Sequence, residues 1–333
     1  MTTRDELLTK IKNLSETVWE GKASEPQVNA WLDNFATSTN GSKDECTLHA
    51  LYLLSQFMYF GSRQMRELMR VLFRDLYRYP IVEQIRQANN DTTDMALISH
   101  EFQDALDRTL FLGVGNPSES GYHLLYYFRQ ENGLPKTRFA HSHEVFQRKR
   151  LSKWHMLKAL LFNWKDRYAG TLTLRRPNIN RYVFIDDFCG SGHQGWAYSK
   201  DIVEDIKSFD SAIEISYFVL FATTTGMDFV RKNTAFNVVH CVYELDDTFR
   251  CFSPSSRYFP SPSQKITATF AEQMCRFYGS SLVPDDPLGY DDGQLLLGFH
   301  HNTPDNTLPI FWYDEPDGTN WMPIFKRYPK NYG

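Results

Sequence analysis

The segment RYVFIDDFCGSGHQ, Arg181 to Gln194, sets two adjacent carboxylates against a short glycine-bearing turn. Ionised carboxylates only accept hydrogen bonds, so Asp186 and Asp187 together suit a ligand with vicinal hydroxyls. A turn whose backbone N–H groups converge at a helix start suits a phosphate, and Gly190, Ser191, Gly192 and His193 form such a turn. Ribose 5-phosphate offers both groups. To present them to one ligand, the chain must run strand, turn, helix. Tyr182 to Ile185, all apolar or aromatic, read as a buried parallel strand ending at the acids, and Gln194 to Val203 continues at helical spacing. Ligands of open α/β sheets bind at the carboxyl ends of strands, where this pair falls. An ordinary βα turn with an incidental acidic pair is the alternative. The ordered succession of strand, acids, glycines and helix weighs against it.

The chain has 333 residues, enough for one large or two modest domains. Hydrophobic residues at 42% and charged residues at 23% are the proportions of an ordinary globular protein. Aromatics reach 15%, which favours a thick core and stacking surfaces without naming a ligand. A net charge of −4 gives no global attraction to nucleic acid, so any such binding needs a local basic patch. Five cysteines with no Cys-x-x-Cys pair argue against a disulfide framework and a zinc site. No run reaches the apolar length of a membrane span, and the polar start is not a signal peptide. The expected location is cytoplasmic.

Helical patterns fill the first part of the chain. An amphipathic pattern ends near Trp19, a second short helix holds Val28, Trp31, Leu32 and Phe35, and Cys46 to Tyr59 reads as a strongly apolar helix stopped at Gly61. Ser62 is the expected cap of the next helix, which runs to about Tyr77, before Pro80. Arg63, Arg66, Arg70, Arg74 and Arg78 recur at spacings of three and four, a basic stripe on its outer face. Helix, tight turn and basic helix suggest a helix-turn-helix contact with nucleic acid through Arg63, Arg66, Arg70 and Arg74. A solvated face balanced by Glu67 and Asp75 explains the pattern equally well. A basic helix can also grip a phosphate-bearing partner without reading sequence.

Farther on, strands and helices alternate, which predicts a mainly parallel sheet flanked by helices. Thr109 to Val114 is a strand, and the loop after it is a second anion-turn candidate with Ser118, Ser120 and Gly121 as donors and Glu119 as a repelling neighbour. Residues 141–164 look basic and mostly helical, and 168–180 a linker. Further strands are expected at Glu214 to Ala222, Asn237 to Tyr243 and Gln294 to Phe299. The last of them leads into FHHNTPDNTLPIFW, Phe299 to Trp312, expected at the same sheet edge as the other loops. His300 and His301 are its acid–base candidates, since imidazole titrates near neutral pH. No third metal ligand is evident beside them. Asn and Asp side chains capping turns before Pro304 and Pro309 would account for the same residues.

The segment from Arg181 to Gln194 resembles the signature of the type I phosphoribosyltransferases: a hydrophobic strand, two acidic residues, then a loop ending Thr/Ser-Gly-x-Thr. The resemblance implies that Asp186 and Asp187 hold the ribose hydroxyls of phosphoribosyl pyrophosphate or a nucleotide. Gly190, Ser191, Gly192 and His193 would hold its 5-phosphate, and the loop with Ser118, Ser120 and Gly121 the pyrophosphate. A Mg²⁺ ion near Asp186 and Asp187 is compatible with this; no side-chain cluster forms a metal site by itself. His193 and Gln194 stand where small hydroxyl residues are usual, so one side-chain donor to the phosphate is replaced or missing.

With IDDFCGSG, ATTTG at Ala222 to Gly226 and HNTPDNTLP from His301, the whole chain looks like the phosphoribosyltransferase-like proteins of bacterial conflict systems. Some of these are retron anti-phage effectors. The expected organisation is a helical, winged helix-turn-helix-like domain at 1–85 and an α/β phosphoribosyltransferase-like domain at 86–333. By implication the chain is a toxic effector kept silent by a reverse transcriptase and its msDNA. It would act as a ribosyl or phosphoribosyl transferase or as a nucleotide glycohydrolase, and a homo-oligomer is compatible with that role. The rival class is a non-catalytic, DNA-binding regulator that senses a nucleotide. A third is a structural subunit that binds msDNA through its basic helices, since one fold hosts all of these. The polar density from His300 to Thr307 favours the enzyme.

Overall fold

The computed structural model describes residues 3–35, 41–115, 120–149, 171–260, 265–314 and 321–328. The chain divides into two compact units, residues 1–67 with 244–333 and residues 68–243, where the sequence suggested a division at 85/86. The first unit opens with α1 (Arg4–Thr17), whose Thr3 and Glu6 exchange the two hydrogen bonds of a capping box. Then come α2 (Glu25–Leu32) and α3 (Lys43–Ser55), the latter capped by Ser42. The apolar run to Tyr59 does not stay helical, because Met58–Phe60 is a strand, β1. The turn at Gly61 therefore joins strand to helix, and the expected helix–turn–helix is helix–strand–helix. Ser62 is the first residue of α4 (Ser62–Val71) and not its cap. That role falls to Glu20, whose carboxylate accepts the N–H groups of Ser62 at 2.9 Å and Arg63 at 2.8 Å. A carboxylate there satisfies first-turn donors and complements the positive end of the helix dipole.

The helical course continues past Pro80. Leu72–Arg78 widens into a π-helical turn in which the Tyr79 N–H reaches the Arg74 carbonyl, and α5 (Tyr79–Ala88) carries on. Pro80 has no N–H to give and lies in the first turn of α5, where none is needed. Arg70 is held by Glu131 at 2.5 Å, and Arg74 by Asp75 in a fork of 2.6 and 2.9 Å. Arg78 lies over the Phe102 ring. Arg63 is exposed and Arg66 half-buried. Part of the stripe is thus a charge-balanced face.

In the second unit, α6 (Met95–Asp107) is capped by Asp94 and leads into β2 (Thr109–Gly113), which is buried throughout. After α7 (Ser120–Glu131), Phe146–Lys149 forms β3, antiparallel to β4 (Thr171–Leu174). Strand thus replaces the expected helix at 146–149 and the expected linker at 171–174; residues 150–170 lie outside the described residues. Next come β5 (Arg181–Cys189), α8 (His193–Phe209), β6 (Glu214–Thr223), α9 (Thr224–Asn233) and β7 (Val238–Leu245). The sheet order is β2-β5-β6-β7, with β2, β5 and β6 parallel. The inner strands β5 and β6 are near-continuous apolar runs, as strands covered on both faces require. Arg181 and Glu214, register partners at the starts of these strands, form an ion pair of 2.8 Å.

The chain then returns to the first unit through α10 (Ala268–Leu282), β8 (Leu297–Phe299) and α11 (Pro309–Trp312). β8 pairs in parallel with β1, Met58 opposite Leu297, so the last strand forms its own two-stranded sheet and does not join the main one. The two chain segments of this unit share one core. Trp31 is fully buried, donates its indole N–H to the Ile310 carbonyl at 2.8 Å and stacks on Phe311. Phe35 packs edge-on against Tyr278 and Trp321. All five cysteines are free thiols. Among the described residues no helix is long and apolar enough to cross a membrane.

The buried His49 ties these segments together. Its Nδ1 meets the Glu45 carbonyl at 2.8 Å, so Nδ1 donates, and Nε2 accepts the Thr267 N–H at 3.1 Å. Protonating Nε2 would set two donors against each other. Burial lowers the His49 value from 6.5, and burial and the neighbouring His301 lower that of His300 to about 4. For groups depressed in the folded state, stability is complete above the unfolded value, about 6.5, and is lost as the pH falls toward about 4. Thermal melts should therefore show the midpoint dropping across that window. His49→Gln, whose amide does not titrate, should make the drop shallower; equal pH dependence in both proteins would exclude His49 as a source.

Candidate active site

β5 runs through the acidic pair to Cys189, four residues beyond Ile185, where the sequence had ended it. The pair therefore sits in the last part of the strand, with Asp186 opposite Val219 and Cys189 opposite Ala222 of β6. Asp187 is buried and Asp186 half-buried. Asp186 Oδ1 accepts the Asp187 N–H at 3.0 Å, and Oδ2 accepts the Tyr217 hydroxyl at 2.9 Å. Asp187 Oδ1 accepts the Phe188 N–H at 3.0 Å. Burial first, and Asp187 second, push the Asp186 carboxyl well above the usual carboxylate range, while the Tyr217 hydrogen bond works the other way. Burial and Asp186 push the Cys189 thiol up to about 12, which makes it an inert thiol rather than a nucleophile.

The turn after β5 is held from below by the start of α9. Thr223 Oγ1 donates to the Gly190 carbonyl at 2.6 Å and accepts the Gly226 N–H at 2.9 Å, capping α9 in the same stroke. The two backbones come so close that neither glycine tolerates a side chain. A Cβ on Gly226 would lie 2.2 Å from the Gly190 oxygen, and one on Gly192 would lie 2.8 Å from the Gly226 oxygen. Gly192 also has φ +80°, the left-handed conformation that precedes α8. α8 begins at this turn, so its dipole and first-turn N–H groups favour an anion there. Ser191 is half-buried. His193 is exposed, and its ring lies against Phe229 at 4.3 Å between centroids.

Other predicted residues fall in different places. Gly113 is paired with Ile185, so the chain leaves β2 level with the acidic pair. Ser120 and Gly121 follow as the start of α7; Ser118 lies outside the described residues. His300 and His301 come after β8 and belong to the other compact unit, not to the edge of the four-stranded sheet. Much of the polar density there is structural. Asn302 Oδ1 accepts the Thr303 and Tyr328 N–H groups, Asp305 binds Arg327 at 2.8 Å, Asn306 donates to the Tyr290 carbonyl, and Thr307 donates to that of Leu297. Arg63, Arg66, Arg70 and Arg74 lie on α4 and the turn that follows it.

Among the described residues no group of three or more His, Cys, Asp or Glu could hold a metal ion. Two carboxylates fit Mg²⁺ only as a site completed by oxygens of a substrate, which is how this ion commonly binds. Sequence reasoning did not find Tyr217, hidden in an apolar run, or the clamping role of Thr223, although its Thr-Thr-Thr-Gly setting was visible. Gly226→Ala should displace the glycine turn at 190–192 and lower the melting temperature. Thr223→Val, which removes the α9 cap and the bond to the Gly190 carbonyl, should cost about 1–2 kcal/mol in urea unfolding. An unaltered denaturation midpoint in both variants would disprove the clamp.

A family model, PRTase-CE, matches residues 28–327. Among solved structures the chain is similar to orotate phosphoribosyltransferase from Aeropyrum pernix, at 12% identity and TM-score 0.24, over 43% of this chain and 64% of that one. It is also similar to the xanthine-guanine-hypoxanthine phosphoribosyltransferase of Helicobacter pylori, at 9% and 0.22, over 44% and 88%. The AQ2163 protein from Aquifex aeolicus matches at 10% and 0.28, over 68% and 86%. The chain spans less than two thirds of the length of the Aeropyrum enzyme. No curated protein matches it. At these identities and scores the weight rests on the family match. Because that match runs over nearly the whole length, the chain belongs to the PRTase-CE family and is phosphoribosyltransferase-like.

Proposed function

We propose that the second unit binds a ribose 5-phosphate compound, phosphoribosyl pyrophosphate or a nucleotide, and acts at its anomeric carbon. The observation that carries this reading is the meeting of the acidic pair with a glycine turn at the start of a 17-residue helix, beside a parallel strand that ends level with it. Asp186 and Asp187 would take the ribose hydroxyls, and Gly190 to His193 the 5-phosphate. The bond from C1 to the leaving group breaks, at oxygen for pyrophosphate or at nitrogen for a base, and that group departs with the electron pair. The acceptor forms the new bond and gives up its proton. Positive charge on the sugar in the transition state is stabilised by fixed carboxylate nearby, and the anchored phosphate supplies positioning. Mg²⁺, held by these carboxylates and the substrate's oxygens, would neutralise the leaving group.

In a cell, such an activity would be the toxic output of a retron-type defence system, held silent by reverse transcriptase and msDNA. The structural use of Asn302 to Thr307 favours a second reading, a non-catalytic nucleotide sensor, because it removes one reason for expecting catalysis.

Phosphoribosyl pyrophosphate with Mg²⁺ should stabilise the protein thermally, by about 2.7 kcal/mol at a hundred times Kd. The matching nucleoside without phosphate should do far less. Equal shifts from a nucleoside and its 5-phosphate would sink the phosphate cradle. Asp186→Asn with Asp187→Asn should keep the fold and lose both product release and toxicity on expression; full toxicity from the folded double variant would leave only the sensor.

Nucleic acid is a further proposed partner. Replacing Arg63, Arg66, Arg70 and Arg74 by Ala should flatten the salt dependence of binding by about one unit of slope for each phosphate no longer neutralised. Identical slopes in wild type and variant would make the stripe a solvated face.

A further inference from the structure

His141 and His143 belong to the same compact unit as the acidic pair, whereas His300 and His301 do not. The register of the sheet gives their height. Phe139 bridges Phe111 of β2 in parallel, the Ala140 N–H donates to the Phe111 carbonyl at 3.2 Å, and Phe111 stands opposite Val183 of β5. The chain is extended at Phe139 and at His141, with ψ of 143° and 153°, so two further residues bring His141 level with Gly113 and Ile185. That height is the carboxyl edge of the strands, one residue short of Asp186 and two strand spacings, about 10 Å, to the side of β5.

A single 3₁₀ turn, Ser142–Glu144, follows. The two imidazoles stack, 5.4 Å between centroids and 12° between planes, with His141 half-buried and His143 exposed. Ser142 Oγ and the Tyr198 hydroxyl share a hydrogen bond of 2.8 Å, which ties the turn to α8, the helix that begins at the glycine turn. Glu144 turns its carboxylate back to accept the His141 N–H at 2.9 Å, and its own N–H donates to the His141 carbonyl at 2.9 Å. The one acid of this turn is thus engaged within it, and the imidazole pair sets the chemistry of this edge.

We infer that His141 and His143 bind the leaving group of the proposed reaction, on the β2 side of the ribose; the inference rests on that reading of the site. The glycine turn that would take the 5-phosphate is clamped on its β6 side by Thr223 and Gly226. C1 lies across the sugar ring from C5, so a group leaving C1 falls toward β2. When the bond from C1 breaks, a pyrophosphate oxygen keeps the electron pair. An imidazole N–H donates to such oxygens in either charge state, and donors at the place where charge develops lower the barrier. The histidines supply hydrogen bonds there and transfer no proton.

The test is calorimetric binding of inorganic pyrophosphate with Mg²⁺, the glycine turn being filled beforehand with saturating ribose 5-phosphate. His143→Ala should weaken pyrophosphate by about tenfold, and His141→Ala with His143→Ala by about a hundredfold, each at the low end for a hydrogen bond to a charged group. Ribose 5-phosphate should bind both variants as it binds the wild type. Unchanged pyrophosphate affinity would overturn the inference, and so would equal losses of both ligands, which mark general damage to the site. Should the double variant not fold, the single change at the exposed His143 decides. A wild type that takes ribose 5-phosphate but no pyrophosphate would overturn the inference and leave the sugar-phosphate site standing. One that takes no ribose 5-phosphate would sink the proposed function, and pyrophosphate alone would then judge the histidines.

Discussion

The candidate site depends on β5 being held between two parallel neighbours. Register with β2 brings Gly113 beside Ile185, so that strand ends level with the acidic pair, and register with β6 brings Ala222 beside Cys189, so β5 and β6 leave the sheet together four residues farther on. The apolar run Tyr182 to Ile185, buried on both faces, anchors the strand, and the polar residues at its ends mark its register. The ion pair of Arg181 with Glu214 marks the opposite end of the same pairing. Acids, glycines and hydroxyls meet because the hydrophobic strand beneath them has one place to lie.

Above that strand, geometry is set by close backbone approach. The carbonyl of Gly190 is gripped by Thr223 and crossed by Gly226, at distances that leave no room for a methyl group. This makes the turn rigid before any ligand arrives, and a rigid set of donors loses less entropy on binding. The acidic pair is prepared in the same way. Tyr217 and the backbone N–H groups hold the carboxyls, and burial resists the charge of Asp186.

The first unit works by other means. Its two chain segments are joined by aromatic packing around Trp31, by the bond of His49 with Thr267 and by the pairing of β1 with β8. Glu20 caps α4 across 42 residues of sequence. Asn302, Asp305, Asn306 and Thr307, after β8, serve this assembly: each binds a backbone group or a neighbouring charge and so stabilises the loops around it. Polar density in sequence is therefore weak evidence for catalysis, because buried loops need the same side chains to satisfy their own backbone.

By itself the sequence determined the local parts: the βα unit from Arg181 to Val203, the strands near 109, 214 and 238, the free cysteines and the acidic pair. These follow from apolar runs, glycine placement and residue chemistry, which act over a few neighbours. Tertiary structure alone decided the rest. It ended α3 early and made Met58–Phe60 a strand, because a partner strand near the other end of the chain, Leu297–Phe299, offered hydrogen bonds. It likewise made strands of 146–149 and 171–174 by pairing them with each other. The arginine stripe was legible as a pattern, but its partner Glu131 was not, since that ion pair spans 61 residues. Tyr217 looked like one more aromatic in an apolar strand; only the register of β5 against β6 brings its hydroxyl to Asp186. Pairings between distant residues leave no periodicity behind, so it takes the folded chain to reveal them.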